Sequence, residues 1–415
     1  MTPSTTTAAG TPANPVLRNL QYSPIKEQDE QYIVLWDPSG LSAEKLILPL
    51  NYFFIIQHLD GRHSLDQIGA LYLKRFGEFL MPDKLQQLVA DLEGKLFLEG
   101  PKVEAVRAER QAAYRQAPVR PAAFAGKAYE AEAYKLRRQI ESFYASKEGP
   151  EQKPSPNKGQ QIYGLVAPAY DVKQAGPIYA WAYKELNEAE SADVFVVLAT
   201  CHAGMESYIT VTDRDFETPL GRVPVHQPIV SALRQQAPDF FTDDLAHAQE
   251  HAIEFQLPFL QDAVGARKPF TIVPVLCAFS AAELQEPACR QQVDRFVATL
   301  QAVCASAGVT PCIVASGDLA HIGMRYGDSA PPTDFSFHRC MQEDLAMLKH
   351  VEERQPEEFA TFILKEADRR RISGFAPIYT LLRVIGGGKG EVRRYDRGIT
   401  DQFNSTVTYA SIVFF

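Results

Sequence analysis

The chain has 415 residues, 46% of them hydrophobic, 22% charged and 10% aromatic, which is material for a large core and for roughly two to three domains. With 42 Lys and Arg against 51 Asp and Glu the net charge is −9, a poor footprint for nucleic acid, which asks for a basic surface. No apolar run reaches the roughly 18 residues of a membrane span. The first 20 residues, rich in Thr, Ala and Pro, lack the charged and apolar segments of a secretory leader. Six cysteines with no Cys-x-x-Cys pair read as small buried hydrophobes in a reducing compartment. The expectation is a cytoplasmic protein with a disordered tail over residues 1–20.

Residues 21–100 read as a small α+β module. Tyr32-Ile-Val-Leu-Trp36 is β-rich and stops at the turn signal Asp37-Pro-Ser-Gly40. Leu50–Leu59 suits a buried helix. Ser64 is placed to cap a second helix, whose apolar stripe is Ile68, Leu71, Tyr72 and Phe76. Asp83–Leu92 gives a third helix and Lys95–Leu98 a short strand. Strand, three helices and strand suggest a winged-helix-like module. Its seven Lys/Arg against twelve Asp/Glu argue against DNA and for docking or dimerisation. The pattern resembles the small PqqD-type winged domains that hold peptides or partner enzymes. Residues 101–120 form a basic linker with an exposed helix over Val103–Arg115, a surface for an acidic partner or simply a solvated face.

From about residue 121 to 415 the pattern becomes α/β. Ile162–Ala167, Val194–Ala199, Phe270–Leu276 and Cys312–Ala315 are near-continuous apolar strands. Helices such as Ile178–Leu186 lie between them, as in a largely parallel sheet covered on both faces. Lys147–Gln161 reads as a loop that could serve as a lid. Glu391–Tyr395 and Ser405–Phe414 alternate like antiparallel strands that close one edge.

In open α/β sheets ligands sit outside the carboxyl ends of the strands, so the polar residues there are the candidates. They are Ala167-Pro-Ala-Tyr-Asp171, Cys201-His202 and Ser316-Gly-Asp318-Leu-Ala-His321. The densest cluster is His247-Ala-Gln-Glu250-His251-Ala-Ile-Glu254. On a helix these four ionisable residues share one face, either solvated or lining a cleft. Its first five residues also match the inverted zinc-peptidase motif, with His247 and His251 as ligands and Glu250 activating water. Cys201 beside His202 reads as structural.

Taken together, these pieces resemble the Memo family, also called AmmeMemoRadiSam system protein B. The carrying segments are Arg120-Pro-Ala-Ala-Phe-Ala-Gly126, Gly176-Pro-Ile-Tyr-Ala-Trp-Ala-Tyr183 and Leu198-Ala-Thr-Cys-His202. Glu217-Thr-Pro-Leu-Gly221, the stretch from His247 to Phe259, and Ala315-Ser-Gly-Asp-Leu-Ala-His321 complete the set. The resemblance covers about residues 121–415. It implies a fold related to class III extradiol dioxygenases, which hold non-haem Fe(II) with two His and a carboxylate. It also implies partners, a radical SAM protein and an AMMECR-type protein A.

Carried over by position, the family's first ligand falls on Ala169, the second on His202, and the frequent Cys ligand on Ala320. The acid/base position falls on His251, with Asp318 and Glu250 as further candidates for proton transfer. Asp318 could instead cap the following helix or hold His321 in one tautomer. Asp171, His321 and His226 are the nearby residues that could replace lost ligands. Three readings follow: a binding or scaffold subunit with a degenerate metal site, a metal-dependent oxidoreductase with altered ligands, and a zinc hydrolase.

Overall fold

The computed structural model describes residues 14–27, 30–152, 154–155, 159–190, 192–202 and 204–415, and divides into two compact units between Gln116 and Ala117. The first unit pairs β1 (Gln21–Glu27), β2 (Glu30–Trp36) and β3 (Lys45–Pro49) in an antiparallel sheet. It continues through α1 (Tyr52–Gln57), α2 (Leu65–Phe76), α3 (Pro82–Gly94) and α4 (Pro101–Gln116). Its core gathers Ile33, Leu35, Ile55, Ile68, Tyr72, Val89, Leu92 and Phe97. Ser64 caps α2 in a full capping box with Gln67.

Two expectations for this unit fail. Three strands precede the helices, and Lys95–Leu98 forms no strand: Leu96 takes a positive φ of 61°, which breaks extended chain, and Leu98 makes only an isolated bridge to Leu17. The expected disordered tail over 1–20 is also corrected where the chain is described. The Leu17 and Arg18 amides donate to the Leu59 and Phe97 carbonyls, and the buried Arg18 guanidinium pairs with Asp37 at 2.9 Å. Residues 1–13 lie outside the described residues, as do 153 and 156–158 of the expected lid loop.

The second unit opens with β4 (Val119–Arg120), α5 (Ala133–Ala145), β5 (Gly164–Ala167), α6 (Val172–Glu188) and β6 (Val194–Thr200). Then come β7 (Ile209–Val211), β8 (Asp215–Thr218), β9 (Gly221–Val223), α7 (Gln227–Gln236), α8 (His251–Leu260), β10 (Thr271–Cys277) and α9 (Pro287–Ser306). It ends with β11 (Cys312–Ser316), β12 (His321–Ile322), α10 (Asp334–Glu352), α11 (Pro356–Lys365), α12 (Phe375–Val384), β13 (Gly390–Ile399) and β14 (Thr406–Phe414).

Four strands run parallel in the order β5-β11-β6-β10. Each is buried along nearly its whole length, so both faces are covered. The sheet is mixed rather than mostly parallel. β14 runs antiparallel beside β5, with β13 along its far side and β12 continuing beyond β5, while β7 runs antiparallel beside β10. Arg120, expected in the linker, instead lies in β4 and is completely buried in this unit.

The parallel register places the carboxyl ends of the central strands side by side. Ser316 is level with Ala167 and Ala199, and Thr200 with Cys277. The loops carrying Ala169, His202 and Asp318 therefore leave the sheet at one edge. Behind Asp318 the backbone passes very close to itself: a Cβ at Gly317 would sit 2.5 Å from the Gly374 Cα, so only glycine fits there.

Candidate functional site

At that edge the structure gathers His202, Glu250 and His251, with one ligand-capable atom from each within 4.8 Å of the others. The expected single helical face over 247–254 does not form. His247 lies in a short 3-10 turn (Asp244–Ala248), Glu250 is extended, and α8 begins only at His251. The Glu250 carboxylate is itself the helix cap, accepting from the His251 and Ala252 amides at 2.9 and 3.1 Å. That breaks the helical period and turns His247 away. His247 is buried outside the cluster, and burial, aided by the Arg120 charge, pushes its imidazole down to about 3. The inverted zinc-peptidase geometry is therefore absent.

Glu250 is the hub of the cluster. Oε2 accepts from the His202 amide at 2.6 Å, and Oε1 lies 3.0 Å from His202 Nδ1 and 3.1 Å from His251 Nδ1. His202 Nδ1 is thus hydrogen-bonded to that carboxylate oxygen and His251 Nδ1 lies within ion-pair reach of it, while among the described residues neither Nε2 has a protein partner. The two rings stack with centroids 4.5 Å apart and planes at 26°. Phe124 and Phe255 pack against His251, at 5.8 and 5.0 Å between centroids.

The electrostatics follow from this contact set. Burial alone would raise the Glu250 carboxyl, but the two histidines outweigh it and hold the group well below the usual carboxylate range. Burial likewise opposes a charged His202, yet Glu250, by charge and hydrogen bond, raises its pKa. A Glu250 carboxylate held that low is a weak base.

Asp318 supplies the second carboxyl. Its Oδ1 accepts from the Ala169 and Tyr170 amides at 3.0 and 3.1 Å. It neither caps the following segment nor touches His321; it pins the loop after β5. Burial pushes it up to about 6, against the opposing pull of His202.

The residues named as possible replacement ligands are engaged elsewhere. Asp171 caps α6, accepting from the Lys173 and Gln174 amides. His226 caps α7, with Nδ1 accepting from Ile229. His321 Nδ1 lies 3.1 Å from both the Leu319 and Arg371 carbonyls, and burial lowers it to about 4. Ala169 and Ala320 are completely buried. The Ala320 amide donates to Thr408 Oγ1 at 2.8 Å.

Two buried residues that the sequence did not single out hold this edge together. Gln256 Nε2 donates to the Pro168 carbonyl and to Ser316 Oγ, at 2.8 and 2.7 Å, while its Oε1 accepts from Tyr183. Arg120 grips the segment before α8. A buried amide five residues after His251 and an Arg just before the Pro-Ala-Ala-Phe segment were the available signals.

Comparison with known proteins adds the lineage. A family model described as Memo-like protein matches residues 120–413, well over half of the chain. The chain belongs to the Memo-like family. It is 28% identical to a MEMO1 family protein of Methanopyrus kandleri over 285 residues, 68% of this chain and 93% of that one. It is 24% identical to a MEMO1 family protein of Aquifex aeolicus over 390 residues, 92% of this chain and 96% of that one, a match that reaches into the first unit. A crystal structure of an uncharacterized Escherichia coli K12 protein aligns at a TM-score of 0.35 and 16% identity, over 61% of this chain and all of that one, too low to argue from. Among the described residues no helix is long and apolar enough to cross a membrane.

Proposed function

We propose that this Memo-family protein is a binding or scaffold subunit, working with the radical SAM and AMMECR-type proteins of an AmmeMemoRadiSam system, whose metal centre is degenerate. The observation that carries this reading is the engagement of each would-be ligand. Ala169 and Ala320 have no donor atom, Asp171 caps a helix, and Glu250 already accepts from three amides and an imidazole. Two imidazoles remain with Nε2 available. Their rings lie nearly parallel, so the lone pairs run side by side rather than converging on one ion. Tight Fe(II) or Zn(II) sites need three or four converging ligands, so the donor set does not fit either ion well.

In this reading the pocket keeps the family frame for recognition. The two partly exposed imidazole edges would meet a ligand beside the Phe124 ring. The first unit would recruit the partner proteins.

The test is restoration. Ala169→His with Ala320→Cys is expected to create iron binding that the native chain lacks. A native chain that already binds as much iron as the double variant sinks the degenerate-site reading. Removing residues 1–116 is expected to abolish co-purification with the radical SAM partner. Undiminished co-purification removes the recruiting role. The cut must fall before Ala117, because Arg120 belongs to the core of the second unit.

A further inference from the structure

The geometry points to Arg120 and Glu254 as a positioning pair that sets the orientation and tautomer of the His202–His251 imidazoles from beneath the pocket. This rests on the reading of those two imidazoles as the working part of the site.

Arg120 lies about 130 residues before the segment it holds, and its side chain is completely buried. Its Nε donates to the His247 carbonyl at 3.0 Å and Nη2 to the Glu250 carbonyl at 2.8 Å. Those two carbonyls bracket the turn that lifts Glu250 out of helical conformation and aims its carboxylate at both imidazoles. Nη1 pairs with Glu254 and also donates to the Pro121 carbonyl at 3.0 Å. The Phe216 ring covers the guanidinium at 5.2 Å.

Glu254, one turn into α8, is equally buried and has every lone pair occupied. It accepts from Arg120, from the Ala123 and Phe124 amides at 3.0 and 2.9 Å, and from the Tyr129 hydroxyl. The ion pair therefore does two things at once. It fixes the 247–250 turn, which sets Glu250. It also straps residues 121–129 over α8, which sets Phe124 against His251. Here two of the guanidinium's bonds reach the backbone on either side of the residue that orients the pocket. Lysine carries the charge but has no planar fork to span two carbonyls and a carboxylate.

The experiment records side-chain 15N shifts of His202 and His251 in the full chain, freed of metal by chelation. The readout thus stands apart from the restoration assay. The native protein is expected to show both rings with hydrogen on Nδ1. Arg120→Lys is expected to bring up a resolved Nε2–H population in both, with cooperative unfolding retained. Arg370→Lys, at the other completely buried arginine, is expected to lower the melting temperature and leave both signatures unchanged. A folded Arg120→Lys protein with native signatures overturns the proposal. Should that variant not fold, Tyr129→Phe removes one hydrogen bond from Glu254 and keeps the charge pair. The same shift, smaller, is expected there, and unchanged signatures overturn the proposal.

Discussion

Two arginines in the second unit, Arg120 and Arg370, are completely buried against carboxylates, yet they spend their donors differently. Arg370 gives its charged contacts to the Asp344, Glu366 and Glu343 side chains, and Asp344 in turn accepts from the Tyr395 and Thr408 hydroxyls. That network ties α10 to β13 and β14. Arg120 gives one arm to Glu254 and two to the backbone that carries Glu250. Burying a charge costs several kcal/mol unless it is paired, so both pairs must be complete. What separates them is what else moves when they break: the sheet edge in one case, the imidazole pocket in the other.

The largest effect expected is on the Arg370 side. Asp344→Ala leaves a buried guanidinium short of its partner and is expected to cost about 3–5 kcal/mol of unfolding free energy. Chemical denaturation measures it, and a cost near zero would mean that the network contributes nothing.

On the pocket side, Asp318 makes stability depend on pH. Its folded pKa of about 6 exceeds the usual carboxylate value near 3.9, so the unfolded chain releases its proton first as pH rises. The contribution of this group should therefore fall between about pH 4 and pH 6 and then level off. Asp318→Asn should remove about 2–3 kcal/mol of that fall. Parallel pH profiles for native and variant protein would contradict the assignment.

A third substitution probes the close backbone pass beneath Asp318. Gly317→Ala is expected to cost about 1–3 kcal/mol, because a Cβ there meets Gly374. A smaller change with no loss of ordered structure would show that the two strands of chain can part. The smallest effect is expected far from either network. Lys389 and Glu353 are both well exposed, and Lys389→Ala should change stability by under about 1 kcal/mol.

Much of the sheet was legible from its apolar runs. Val194–Thr200 and Cys312–Ser316 are buried at every position, and such strands need no alternation to be found. β1 escaped notice because Gln21–Glu27 is mostly polar and carries Pro24, with one side buried only at Pro24. For the candidate residues, spacing said less than it suggested. His202, Glu250 and His251 cluster, and Asp318 feels the charge of the two histidines. The spacing of His247, Glu250, His251 and Glu254 suggested one helical face because periodicity does not register a side chain that caps its own helix. Glu250 does that, and the turn is completed by Arg120, a residue whose contacts are about 130 positions away. Contacts of that range leave no local pattern. Nor did the sequence show that Asp171 and His226 are caps, since an N-cap and a metal ligand use the same side-chain atoms.

Bound metal is the property on which a degenerate centre and a working one differ most. The protein would be purified anaerobically with Fe(II) and, separately, with Zn(II), and assayed by elemental analysis beside His202→Ala. Far less than one equivalent of either metal is expected, with no difference between the two proteins. Close to one equivalent in the native chain, lost in His202→Ala, would contradict it and mark the imidazole pair as a working metal site.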